Sequence, residues 1–111
     1  MVSNDNMTSN MGTVAWMAPE MFQGGNYTEK VDVYSYGMVL FEIFARKIPF
    51  DDVDGFSVPV QVTKGLRPKL PKHVPKSWVK LITQCWHDKP SKRPTFDRIV
   101  DTLRSLATEK Q

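Results

Sequence analysis

Cysteine is nearly absent from this sequence: Cys85 is the single one in 111 residues. One thiol excludes an intramolecular disulfide framework and any centre built from several cysteine ligands, and it points to a reducing compartment. Long apolar runs are missing as well. Nothing approaches the roughly 20 consecutive apolar residues that span a bilayer, so no membrane is expected as a partner. Six Gly and eight Pro are too few for a collagen-like or low-complexity chain. Residues 1–7 have neither a basic start nor an apolar core, so no secretory leader is visible. The expected location is the cytoplasm, with the nucleus as the alternative. What remains, 41% apolar and 24% charged residues, suits one small globular unit or a piece of one.

Charge is unevenly spread. Residues 1–59 hold three basic side chains against eight acids, a balance of −5, whereas residues 60–98 hold ten against two, a balance of +8. A basic stretch of this kind could attract nucleic acid. Here the cations are separated by Pro and apolar residues and form no single stripe, so a solvated Lys-rich surface is favoured and nucleic acid is disfavoured as a partner.

The pattern along the chain is helical. Residues 1–12 are polar and aperiodic, with Thr8 and Ser9 as hydroxyls open to modification. Residues 13–18 form a short apolar patch that ends at Pro19, which pre-sets the first turn of a short helix through Phe22. From Thr28, a fair N-cap, to Ala45 runs the most informative segment. Ten of the fourteen positions from Val31 to Phe44 are apolar or aromatic and point all round a helical axis. Such a helix is expected to be enclosed by neighbours on every side. Gly37 lets another backbone come close, and Asp32 is costly to bury unless donors meet it.

A weaker helix is expected over 57–64, with Pro59 confined to its first turn. A Pro-punctuated connector follows over 65–75. Trp78, Leu81, Ile82, Cys85 and Trp86 then recur at the spacing of a one-sided amphipathic helix. Thr95 caps a last helix carrying Phe96, Ile99, Val100, Leu103 and Leu106 before a polar tail at 108–111.

Isolated site signals are weak. Asp52-x-Asp54-Gly55 lacks the closing Glu of a calcium loop and reads as a plain turn. His73 and His87 have no metal-ligand company, and Cys85 sits on the apolar face of its helix, where a core role outweighs a nucleophilic one.

Two stretches 73 residues apart nevertheless belong together. Gly12-Thr13-Val14-Ala15-Trp16-Met17-Ala18-Pro19-Glu20 resembles the end of a protein kinase activation segment, closing on its Ala-Pro-Glu signature. Asp32-Val33-Tyr34-Ser35-Tyr36-Gly37 resembles the start of that family's central C-lobe helix, and Cys85-Trp86 with Arg93-Pro94 resembles its C-terminal signature. Trp-Met-Ala-Pro-Glu is similar to the tyrosine kinase and tyrosine-kinase-like branches, whereas Gly12-Thr13 resembles serine/threonine kinases. The combination points to a tyrosine-kinase-like serine/threonine kinase, with residues 1–107 as a partial kinase domain.

The resemblance implies a mainly α fold: the end of the activation segment, the central helix and three further helices of a C-lobe, without the N-lobe or the catalytic loop. It implies that Thr13, Val14, Ala15, Trp16 and Met17 position the substrate acceptor, and that Thr8 and Ser9 are candidate phosphosites. Ala18, Pro19, Glu20, Asp32, Gly37, Trp86 and Arg93 would be the structural motif. Glu20 and Arg93 would form a partly buried carboxylate–guanidinium pair, and Asp32 would accept hydrogen bonds from the backbone of the catalytic loop. Protein substrates, or the missing N-terminal half of the kinase, would be the partners.

No Gly-x-Gly-x-x-Gly occurs, neither His is followed by Arg-Asp, and Asp54-Gly55-Phe56 is not Asp-Phe-Gly. The groups that cradle ATP phosphates, hold Mg²⁺ and take the acceptor proton in this reaction class are therefore absent from these residues. A full-length parent would use ATP and Mg²⁺; this chain is expected to bind no cofactor or metal and to have no catalytic residue. The alternative is a non-catalytic binding module that competes for substrates or partners. Either way, a central helix with too few neighbours should leave apolar surface exposed and promote self-association.

Overall fold

The computed structural model describes residues 14–108. These contain four α-helices and no strand: α1 (Lys30–Ala45), α2 (Val58–Thr63), α3 (Lys76–Cys85) and α4 (Phe96–Thr108). Single turns of 3-10 helix at Val14–Trp16, Pro19–Phe22 and Pro90–Lys92 punctuate the connections.

α1 is the hub. Val31, Val33, Tyr34, Met38, Leu40 and Phe41 are buried along it, and its most extensive packing is against α3, whose Leu81, Ile82 and Cys85 are buried in turn. Gly37 makes this approach close: a Cβ there would lie 3.0 Å from the Cβ of Cys85 and 3.4 Å from the carbonyl oxygen of Ile82. Ring contacts extend the seam, with Phe41 against Trp86 and Phe44 against Trp78. α4 packs on α3 and buries Ile99 and Leu106, while α2 sits over the two 3-10 turns that open the described chain.

The ends of α1 differ from expectation. Its N-cap is Glu29, and Thr28 instead accepts the Lys30 N–H through Oγ1 at 3.2 Å, a local turn that starts the helix one residue later than expected. It stops at Arg46, which adopts the left-handed conformation (φ 59°) usually given to glycine and closes the helix through its N–H on the Glu42 carbonyl at 2.7 Å. The short helix expected over 57–64 forms as α2 with Pro59 in its first turn. The apolar patch before Pro19 holds one 3-10 turn, the short helix expected from Pro19 through Phe22 forms as a second, and α4 continues to Thr108, into the stretch expected as tail.

The described residues do not enclose α1. Asp32, Val39 (41% exposed) and Ile43 (64%) lie at helical spacing on one open face. Tyr36 on the same side meets Phe96 of α4 edge-on, so exposed Phe96 and Val100 adjoin this face. The expectation of cover on every side is thus not met, while exposed apolar surface is present.

Candidate functional site

The segment from Val14 to Glu20 is held on the helical core at three levels. Ala15, Ala18 and Pro19 are buried, so the backbone lies directly on the core. Ser35 of α1 reaches up, its Oγ donating to the Trp16 carbonyl at 2.7 Å, with the Val31 carbonyl at 3.2 Å as the other acceptor. The Trp16 indole N–H in turn donates to Glu42 Oε1 at 2.7 Å. One face of α1, one turn after another, therefore fixes both backbone and side chain of Trp16. Val14, Trp16 and Met17 keep part of their surface in solvent, and Met17 closes the first turn through its N–H on the Val14 carbonyl. Thr8, Ser9 and Thr13 lie outside the described residues.

Arg93 pins the far end. It is 2% exposed, and its five N–H groups all find acceptors. Two bonds form a fork on Glu20, from Nη1 to Oε2 at 2.7 Å and from Nη2 to Oε1 at 2.9 Å. The others reach the carbonyls of Lys30 (3.0 Å), His87 (2.8 Å) and Asp88 (3.4 Å). Lys30 returns the contact, its Nζ donating to the Arg93 carbonyl at 2.6 Å. Burial works to raise the Glu20 carboxyl, but the Arg93 hydrogen bonds and charge, helped by Arg67, hold it below its ordinary value. The pair expected from the resemblance is therefore present, and it ties the end of the Val14–Glu20 segment to the start of α1 and to the connector before α4.

A second arginine was not foreseen as part of this site. Arg67 donates to the carbonyls of Trp86 (2.8 Å), Leu66 (2.8 Å) and Val62 (3.1 Å) and faces Asp88 at 3.6 Å. Both guanidiniums lie against the ring of Tyr34, 5.0 Å and 5.2 Å from its centroid. Tyr34 is fully buried, its hydroxyl has no hydrogen-bond partner among the described residues, and burial pushes its pKa up to about 12 against the pull of the two arginines. Only the position of Arg67 in a Pro-rich connector was visible in the sequence, and that carries no signal of a plug.

Gly37 and Trp86 sit where α1 meets α3, as described. Asp32 is exposed on the open face of α1 and meets no hydrogen-bond donor among the described residues. His73 is exposed, and His87 accepts the Lys89 N–H through Nδ1 at 3.0 Å. Asp54 and Ser57 form a turn, Ser57 N–H to the Asp54 carbonyl at 2.8 Å. Cys85 is buried, and its thiol is pushed up to about 12 by that burial.

Among the described residues no three His, Cys, Asp or Glu side chains gather where a metal ion could be held. Among the described residues no glycine lines the larger cavities. No described helix is long and apolar enough to cross a membrane.

A chain that forks Arg93 onto the Glu of Ala-Pro-Glu, on a central helix opened by Asp32, has the C-lobe architecture of a protein kinase. Residues 2–103 match the family described as protein tyrosine and serine/threonine kinase, and the chain belongs to that family. Its relatives include serine/threonine kinases. The RGS domain-containing serine/threonine-protein kinase A of Dictyostelium discoideum is 52% identical over 101 residues, covering 91% of this chain and 9% of that protein. Mitogen-activated protein kinase kinase kinase 7 of Homo sapiens is 46% identical over 102 residues, covering 90% of this chain and 17% of that protein. The chain spans between 9% and 18% of the length of such relatives.

Proposed function

We propose that this chain is the substrate-side portion of a serine/threonine protein kinase whose full-length form transfers the γ-phosphate of ATP to protein Ser or Thr. The observation that carries the reading is the double anchoring of the Val14–Glu20 segment, by Ser35 and Glu42 at Trp16 and by Arg93 at Glu20. Phosphoryl transfer depends on positioning, and a pinned segment is what holds an acceptor hydroxyl in line. Thr13 to Met17 shape that acceptor surface, and Thr8 and Ser9 are the activation-segment sites whose phosphorylation would order it through Arg contacts. The open apolar face of α1 fits a further kinase segment that covers Asp32, Val39 and Ile43. The sequence carries no Gly-x-Gly-x-x-Gly, His-Arg-Asp or Asp-Phe-Gly motif, so in this reading the chain alone binds without transferring phosphate.

Phosphorylation of a peptide library with Ser, Thr and Tyr acceptors by the native protein, compared with its Trp16→Ala variant, tests the reading. Transfer to Ser or Thr that falls in the variant mainly through kcat/KM, with selectivity after the acceptor relaxed, supports it. Transfer to Tyr alone, or selectivity and rate unchanged in the variant, overturns it.

A further inference from the structure

A cavity of about 400 Å³ opens between the start of α1, the Pro90–Lys92 turn and the first turn of α4. Its walls are Lys30, Gln84, Ser91, Lys92, Thr95 and Arg98, with Arg93, whose guanidinium is held on Glu20, and Pro94 beside them. Three cationic side chains converge there and no carboxylate lines the cavity. Asp97 and Asp101, which flank Arg98 in sequence, line neighbouring grooves: Arg98 borders both grooves that Asp101 lines, and Lys30 and Thr95 border the one that Asp97 lines. Among the described residues the ion pairs are Arg67 with Asp88 and Arg93 with Glu20, so Lys92 and Arg98 are unmatched by any acid. Lys30 is fixed in place by one bond to the Arg93 carbonyl and retains two further N–H groups. Thr95 Oγ1 already accepts the Arg98 N–H at 3.2 Å, so its own O–H remains to donate.

We propose that this cavity is a binding site for a phosphate monoester carried on a peptide, a phosphorylated Ser or Thr side chain of a partner segment. A phosphate brings about −1.5 to −2 charges and three acceptor oxygens, which match three cations and the Ser91 and Thr95 hydroxyls; a single carboxylate would leave much of this unmet. The source follows from what the walls lack. No aromatic ring is present to stack a nucleobase, and no apolar wall to take an acyl chain. The open mouth admits a group projecting from an extended chain. The site lies apart from the Val14–Glu20 acceptor surface and is independent of whether the protein transfers phosphate.

The test is amide chemical-shift mapping on the full chain with three probes: acetyl-Ala-phosphoserine-Ala-amide, its unphosphorylated counterpart and AMP. Saturable shifts at Lys92, Thr95 and Arg98 with the phosphopeptide, weakened about tenfold by the double charge reversal Lys92→Glu/Arg98→Glu, support the proposal. Rising salt should weaken the same binding. Both substituted side chains are exposed, and unchanged shifts elsewhere would show that the fold persists. No shift at these amides, equal shifts with the unphosphorylated peptide, tighter binding of AMP, or an unaffected double variant overturns it.

Discussion

Removing the Arg93 side chain should destabilise the chain more than any other single truncation at the site. Arg93→Ala strands the Glu20 carboxylate, whose side chain is 15% exposed, and leaves the carbonyls of Lys30, His87 and Asp88 without that donor. Breaking a buried pair from one side costs about 3–5 kcal/mol, and the extra carbonyls place Arg93→Ala at the upper end. A single domain of this size has only about 5–15 kcal/mol in total, so the variant should be close to unfolding. Glu20→Ala leaves the guanidinium with three of its acceptors and should fall at the lower end, about 3 kcal/mol. The double variant should cost less than the two singles together, with a coupling of about 2–3 kcal/mol. Urea titration followed by the fluorescence of the three Trp residues measures all four corners of the cycle. The Glu20 carboxyl is held below its ordinary value of 4.5. Its share of stability is therefore present above that value and is lost as pH falls through the lowered one, so the coupling should shrink in acid. Additivity within about 0.5 kcal/mol, a coupling insensitive to acid, or a Glu20→Ala loss larger than that of Arg93→Ala would refute the reasoning.

Other substitutions probe the packing around this anchor. Gly37→Ala drives a Cβ to 3.0 Å from that of Cys85 and should cost about 1–3 kcal/mol by parting α1 from α3, seen as a lower Tm. Tyr34→Phe deletes a buried hydroxyl without a partner among the described residues and keeps the ring beside both arginines, so it should be neutral or stabilising by up to about 1–2 kcal/mol in urea titration. The Cys85 thiol, raised from 9.0 to about 12, should resist a thiol-specific disulfide reagent at pH 8 until denaturant is added. Its contribution to stability is present below pH 9 and lost as pH rises toward 12.

The helical frame was legible in the sequence because it rests on periodicity. Trp78, Leu81, Ile82 and Cys85 mark the buried face of α3, and Thr95 precedes α4 with its Oγ1 on the Arg98 N–H. Glu20 and Arg93, 73 residues apart, could be paired only through the family resemblance, since no local pattern reports so distant a contact. The start of α1 was misplaced because a Thr can cap a helix or make a local turn before it, and Thr28 does the latter. Arg67 was invisible for a related reason: its acceptors are mainly backbone carbonyls, which every residue supplies. The same holds for Trp16, whose indole partner Glu42 lies 26 positions away. The open face of α1 is a matter of count, since its residues are as apolar as the buried ones and only the number of neighbouring helices separates the two.

The mass of the native protein bears most directly on the proposed kinase parent. Capture with an antibody against residues 95–111, followed by intact-mass spectrometry, should yield a product well above the 12.7 kDa of these 111 residues, carrying the segment that covers Asp32, Val39 and Ile43. A native product of 12.7 kDa alone would contradict the kinase parent and leave a protein that binds without catalysing.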